Sequence, residues 1–199
     1  MKNPKITRKI TQGMYVLTGK GGGCIVDAVS RVGGTDQPLI AVAVAKTNHS
    51  HKILSENDKF ALSVLGENAD PEVITTFGFN SSKDIDKCAK CQTVEVEGVP
   101  VVKNSIGYMV CEKIDAIDTE SHTLYIGRMI EGDIFEDSKP MSYAYYQEHK
   151  SDLTKVTSEQ EQTAWICTVC GYVYYGNEVP DDYKCPLCGL GKEYFKKRD

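Results

Sequence analysis

Four cysteines close to the C-terminal end of the chain are spaced for chemistry: Cys167 and Cys170 in WICTVCGYVY, Cys185 and Cys188 in KCPLCGLGKEYF. Each CxxC pair is followed by a glycine, Gly171 or Gly189. A metal knuckle needs its two sulfurs a tight turn apart, and a glycine after them permits backbone conformations closed to residues with a Cβ. Four thiolates in tetrahedral array suit zinc or iron, so ligand spacing alone leaves a structural zinc ribbon and a redox-active iron site both open. The run from Trp165 to Phe195 is shorter than the roughly 40 residues at which an apolar core usually suffices, so the metal is expected to supply much of its folding free energy.

The residues around the ligands go beyond spacing. Trp165, Tyr172, Tyr174 and Phe195, with Pro186, Lys192 and the two knuckle glycines, make the stretch resemble the rubredoxin family in its short form. Tyr183 stands where many members have tryptophan, and it keeps an aromatic ring there. The resemblance implies one iron on Cys167, Cys170, Cys185 and Cys188, with zinc as a possible substitute, and transfer of single electrons.

A one-electron centre needs a donor, and nicotinamide gives up a hydride, so a flavin is the natural intermediary to seek in the body. From Gly13 to about Tyr146, runs rich in β-formers alternate with Gly, Pro and Asn: MYVLT, CIVDAVSRV, PLIAVAVA, FALSVLG, SIGYMVCEKIDAI and HTLYIGRMIEG. Two short helices are expected at NHSHKILSEND and DPEVITTFGF, each behind residues suited to N-capping. The pattern predicts a mainly β, mostly antiparallel barrel or sandwich with a few short helices. The order of these segments across residues 10 to 146 is similar to the flavin reductase family, which implies an FMN-binding split β-barrel. Joined to a rubredoxin-like tail, it resembles the high-molecular-weight rubredoxins of anaerobes, of NAD(P)H:flavodiiron-protein oxidoreductase type. The expected organisation is a split barrel over 1–146, a polar linker over 147–163 (QEHKSDLTKVTSEQEQT) and a small rubredoxin-like metal domain over 164–199.

The resemblance also places the flavin. CIVDAVSRV matches the segment beside the isoalloxazine, implying contacts from Ile25, Val26, Asp27, Ala28, Val29 and Ser30. Related sequences often carry Asn at the position of Asp27, and a carboxylate aimed at the ring would oppose negative charge there. The FMN phosphate wants hydroxyls, backbone N–H groups and a cation near a helix start. Lys46, Thr47, Asn48, Ser50 and His51 offer these where a strand hands over to a helix, and Asn80, Ser81, Ser82 and Lys83 are placed to close over the phosphate or ribityl chain. His122 matches a position near flavin and nicotinamide, where it would orient the substrate or supply charge.

Other features are given plainer readings. GKGGG lacks the GxxxxGK[ST] pattern and is expected to turn one strand into the next. No GxGxxG is present, so NAD(P)H is expected to bind transiently on the flavin face. His49 and His51 have no third ligand nearby, Cys88 and Cys91 read as loop thiols, and Cys24 and Cys111 as small buried apolar residues.

The formal net charge of −5 argues against nucleic acid, which calls for clustered Lys and Arg. No apolar run approaches the roughly 18 to 20 residues of a membrane span, and MKNPKITRKITQG lacks the apolar core of a secretory signal. A cytoplasmic location is expected. The family resemblance implies a homodimer that takes hydride from NAD(P)H and passes electrons through iron to a partner such as a flavodiiron O2 or NO reductase. The other readings are an FMN-binding carrier reduced by another protein, and a flavin or ferric reductase with a zinc-ribbon tail.

Overall fold

The computed structural model of the 199-residue chain describes residues 4–154, 164–185 and 188–197. The chain divides into two compact units: Gln12–Val156, and Met1–Thr11 grouped with Thr157–Asp199. Among the described residues, no helix is long and apolar enough to cross a membrane.

The larger unit is built on β1 (Tyr15–Gly19), β2 (Gly22–Val26), β3 (Val29–Gly33), β4 (Leu39–Ala45), β5 (Lys59–Val64), β8 (Gly107–Asp118) and β9 (His122–Ile134). These form one antiparallel sheet in the order β2-β1-β5-β8-β9-β4-β3. Its two outermost strands, β2 and β3, are joined by Asp27 and Ala28 alone. So short a link cannot span a flat sheet; the sheet must curl until its edges meet. The Ala43 N–H of β4 donates to the Ala28 carbonyl at 3.0 Å across that seam. The expected mainly β split barrel is observed, with one correction: CIVDAVSRV is not one strand but two, broken at the seam where the barrel changes direction.

Alternation explains the core. β4 (LIAVAVA) is apolar at every position, as a strand covered on both faces requires. Leu17, Val42, Val44, Phe60, Leu62 and Cys111 fill one cluster, and Val16, Leu65, Val73, Ile74, Phe77 and Met141 a second. Helix α1 (His49–Glu56) starts at Asn48, whose side chain accepts from the Ser50 N–H, and it turns Ile53 and Leu54 inward. Helix α2 (Pro71–Phe79) is capped by Asp70 with Pro71 at its first turn, and α3 (Lys87–Lys90) is capped by Asp86. GKGGG turns β1 into β2, with Gly21 and Gly22 at φ 111° and 141°. A separate hairpin, β6 (Thr93–Val96) with β7 (Val99–Val102), turns at Glu97 and Gly98, both at positive φ. It was not among the expected strands. Two further helices, α4 (Tyr143–Glu148) and α5 (Lys150–Leu153), take up the first part of the polar 147–163 stretch, burying Leu153 beside the second cluster. Residues 155–163 of that stretch lie outside the described residues.

In the smaller unit β10 (Ala164–Cys167) lies between β11 (Val173–Tyr175) and β12 (Phe195–Lys197). Its core is Cys167, Val169, Val179, Cys185 and Phe195, ringed by Trp165, Tyr172, Tyr174 and Tyr183. Tyr183 packs edge-on to Phe195 at 5.5 Å and against Tyr174 at 4.7 Å, so it fills the aromatic position expected of it.

Candidate functional site

The four cysteines of the smaller unit converge. Cys167 ends β10 and its carbonyl accepts from the Gly171 N–H at 2.9 Å; the Cys185 carbonyl accepts from the Gly189 N–H at 2.7 Å. Gly171 and Gly189 sit at φ 80° and 70°, the left-handed region the knuckles require. Cys167 Sγ lies 3.6 Å from Cys188 Sγ and Cys170 Sγ 3.4 Å from Cys185 Sγ, with all four within 4.8 Å of one another. A tetrahedral ion with metal–sulfur bonds of about 2.3 Å has sulfur–sulfur edges near ~3.8 Å, so the set fits one ion. Burial pushes the Cys188 thiol up to about 12, and the Cys185 sulfur beside Cys170, followed by burial, raises Cys170 too. Four sulfurs this close do not ionise together without a cation between them. Cys167 and Cys185 are buried while Cys170 and Cys188 are half-buried, so one edge of the tetrahedron reaches the surface. Lys192 is paired with Asp181 at 2.7 Å and Glu178 at 3.2 Å. Pro186 lies outside the described residues.

In the larger unit the candidate flavin residues gather around the open edge of β2. The Ser82 hydroxyl accepts from the Gly23 N–H at 3.2 Å and donates to the Gly23 carbonyl at 3.3 Å. Gly23 therefore turns its polar groups away from β1, and by the alternation of an antiparallel pair Ile25 does the same. Val26 points into the barrel core; Ala28 and Val29 are half-buried at the seam; Ser30 is exposed. The N-terminus of α1 joins β2 at Cys24, whose thiol is pushed up by burial and hydrogen-bonds the Ser50 and Asn48 side chains. Thr47 is exposed beside them. Ser81 accepts from the Lys83 N–H, the Lys83 side chain is exposed, and Asn80 donates to the Thr75 carbonyl at the end of α2.

Two candidates turn elsewhere. Lys46 donates to the Thr119 carbonyl at 2.7 Å and pairs with Asp118 at 3.5 Å. Thr123 donates to Asp118 at 2.6 Å, so its oxygen accepts from His51 Nε2–H at 2.8 Å. Asp27 and His122 act on each other electrostatically. Burial raises the Asp27 carboxyl, with its own and the Ala28 N–H and then His122 opposing, and burial lowers His122, with Asp27 opposing. Lys87 is the residue that sequence reasoning missed: its ammonium is buried and donates to the Gly23 carbonyl at 2.8 Å. Nothing in the charged run SSKDIDKCAK separates it from its solvated neighbours. An edge strand, a helix start, nearby hydroxyls and a buried cation together fit a flat ring with a phosphate tail.

Comparison with known proteins agrees with this two-part layout. Residues 7–154 match the family model described as flavin reductase like domain, and residues 165–196 match that of the rubrerythrin, rubredoxin-like domain. The chain is 29% identical over 226 residues to a high molecular weight rubredoxin of Moorella thermoacetica, covering 97% of this chain and 98% of that protein. It is also 29% identical over 157 residues to a ferric-chelate reductase (NAD(P)H) of Archaeoglobus fulgidus, covering 75% of this chain and 92% of that one. The fold is shared with the NADH:FAD oxidoreductase SgcE6 of Streptomyces globisporus C-1027. The TM-score there is 0.62 at 21% identity, over 69% of this chain and 84% of that chain.

Proposed function

Because the chain belongs to the flavin reductase like domain family and carries a rubredoxin-like domain, we propose that it moves electrons from NAD(P)H, through FMN, to one iron held by Cys167, Cys170, Cys185 and Cys188. The observation that carries this reading is the tetrathiolate: four Sγ atoms within 4.8 Å of one another in a chain whose other unit is a flavin reductase-like barrel. FMN, when bound, accepts a hydride and gives up its electrons one at a time, which bridges a two-electron donor and a one-electron metal.

The residues of the chain have distinct parts in this. The Ile25 backbone, with Val26 to Ser30 along the seam, receives the edge of the ring. Thr47, Asn48 and Ser50 at the start of α1 hold the phosphate, with Lys46 and His51 ordering that loop through Asp118 and Thr123. Ser81 and Lys83 close over the ribityl phosphate, with Asn80 and Ser82 ordering that segment through Thr75 and Gly23. His122, poised near Asp27, orients the nicotinamide. The half-buried Cys170 and Cys188 mark the edge through which electrons leave.

Three further assignments complete the proposal. The domains run over 1–146 and 164–199 with a linker between. Exposed Val32 on β3 and Ile114 and Ile117 on β8 offer apolar surface to a second copy, supporting a homodimer. The outward acceptor in the cytoplasm is a flavodiiron O2 or NO reductase. Rapid anaerobic mixing of FMN- and iron-loaded protein with NADH and, separately, NADPH tests the activity. Flavin absorbance is expected to bleach with at least one of them; bleaching with neither would leave a carrier reduced by another protein.

A further inference from the structure

Lys87 is 2% exposed, yet it carries an ammonium. That group donates to the Gly23 carbonyl at 2.8 Å and the Phe77 carbonyl at 3.2 Å, and stands 5.8 Å from the centre of the Phe77 ring. Among the described residues no carboxylate is within ion-pair distance of it. Burial lowers its pKa, and only the thiols of Cys24, Cys88 and Cys91 oppose that. An interior ammonium without a counter-charge is costly, and a methionine of similar reach would pack there without that cost.

Its target gives the reason for a charge. Gly23 lies on an edge strand and faces away from β1, and Ser82 and Lys87 between them occupy both its N–H and its carbonyl. The neighbouring outward rung is Ile25, on the strand the proposed function gives to the flavin ring. Lys87 reaches β2 from 64 positions along the chain, and so ties α3 and the end of α2 to that strand.

Resting on the flavin reading above, we propose that Lys87 is the positioning residue of the flavin site. With Ser82 it closes the Gly23 rung, so that the ring edge docks at Ile25, and its ammonium supplies the buried positive charge that balances the hydride delivered to the ring. The loss of that charge is then felt more by the reduced cofactor than by the oxidised one.

The test uses the full, iron-loaded chain and its Lys87→Met, Lys87→Gln and Lys87→Arg variants. FMN affinity is read by fluorescence quenching and the two-electron midpoint potential by dye-coupled titration. Lys87→Met is expected to bind oxidised FMN at least tenfold more weakly and reduced FMN a further tenfold more weakly, equivalent to a potential lower by about 30 mV. Lys87→Arg is expected to recover the potential. Lys87→Gln keeps an N–H for Gly23 but no charge, so it should hold FMN more tightly than Lys87→Met with the same fall in potential; it also decides the matter if Lys87→Met does not fold. A folded neutral variant with wild-type affinity and potential overturns the inference and leaves the flavin reading standing. Wild-type protein that binds no FMN removes the flavin reading itself, and this inference with it.

Discussion

Replacing Gly23 with alanine probes the joint between the fold and the proposed flavin site. A Cβ on Gly23 would lie 2.2 Å from the Leu17 carbonyl oxygen, 2.9 Å from Thr18 Cγ2 and 3.1 Å from Thr18 Cα. Two of these are backbone atoms of the paired strand, so no side chain can swing aside. Ordinary carbon–oxygen approach begins near ~3.3 Å, so β2 has to retreat from β1 by about 1 Å. That displacement drives Gly23 towards Ser82 and Lys87, which lie on its side away from β1, and forces their hydrogen bonds to Gly23 out of line. Overpacking costs about 1–3 kcal/mol. Losing those hydrogen bonds, one of them charged, adds about 2–3 kcal/mol. Alanine returns roughly 0.5–1 kcal/mol through the unfolded chain, leaving a net loss of about 2–5 kcal/mol. For a unit of this size that is a fall in Tm of roughly 5–15 °C. Calorimetry should show the drop in the barrel transition, fluorescence quenching should show weakened FMN binding, and the iron–thiolate absorbance should not change. A Gly23→Ala protein with wild-type Tm and FMN affinity would refute the close approach of β1 and β2 and the role given to this edge.

Two more outcomes follow from the sites. Cys185→Ser removes a buried ligand 3.4 Å from Cys170; metal analysis and absorbance should show the tetrathiolate iron lost, while FMN binding is retained. Asp27 has its pKa raised chiefly by burial, so above the ordinary carboxylate range the folded state is penalised relative to the unfolded one, and stability falls as pH rises through the raised value. Asp27→Asn should therefore raise Tm at pH 7, and the gain should vanish below about pH 3.8, where the carboxyl is protonated in both states; a pH series of thermal melts checks both ends.

What the sequence disclosed and what it withheld divides along the range of the interactions. The metal knuckles were legible because everything they need lies within a few residues: two cysteines, a turn and a glycine at positive φ. Caps on α1 and α2 were legible for the same reason. The break at Asp27 and Ala28 was not, because CIVDAVSRV reads as unbroken β-former and only closure of the barrel bends it. The β6/β7 hairpin did leave a local signal, valines on either side of Glu97-Gly98, which the longer strands overshadowed. Lys46 shows the opposite failure. Its neighbours suggest an anion, but its ammonium is drawn to Asp118 and Thr119 from far along the chain. Lys87 is buried by contacts 64 and 10 positions away, a fate no local pattern encodes.

The central claim is that both units belong to one electron path, and a reductive titration counts the electrons. With FMN and iron both loaded, anaerobic addition of NAD(P)H should bring both chromophores to full reduction at about 1.5 equivalents per chain, since a flavin takes two electrons and the iron one. Saturation at about one equivalent, with the iron still ferric by electron paramagnetic resonance, would contradict it.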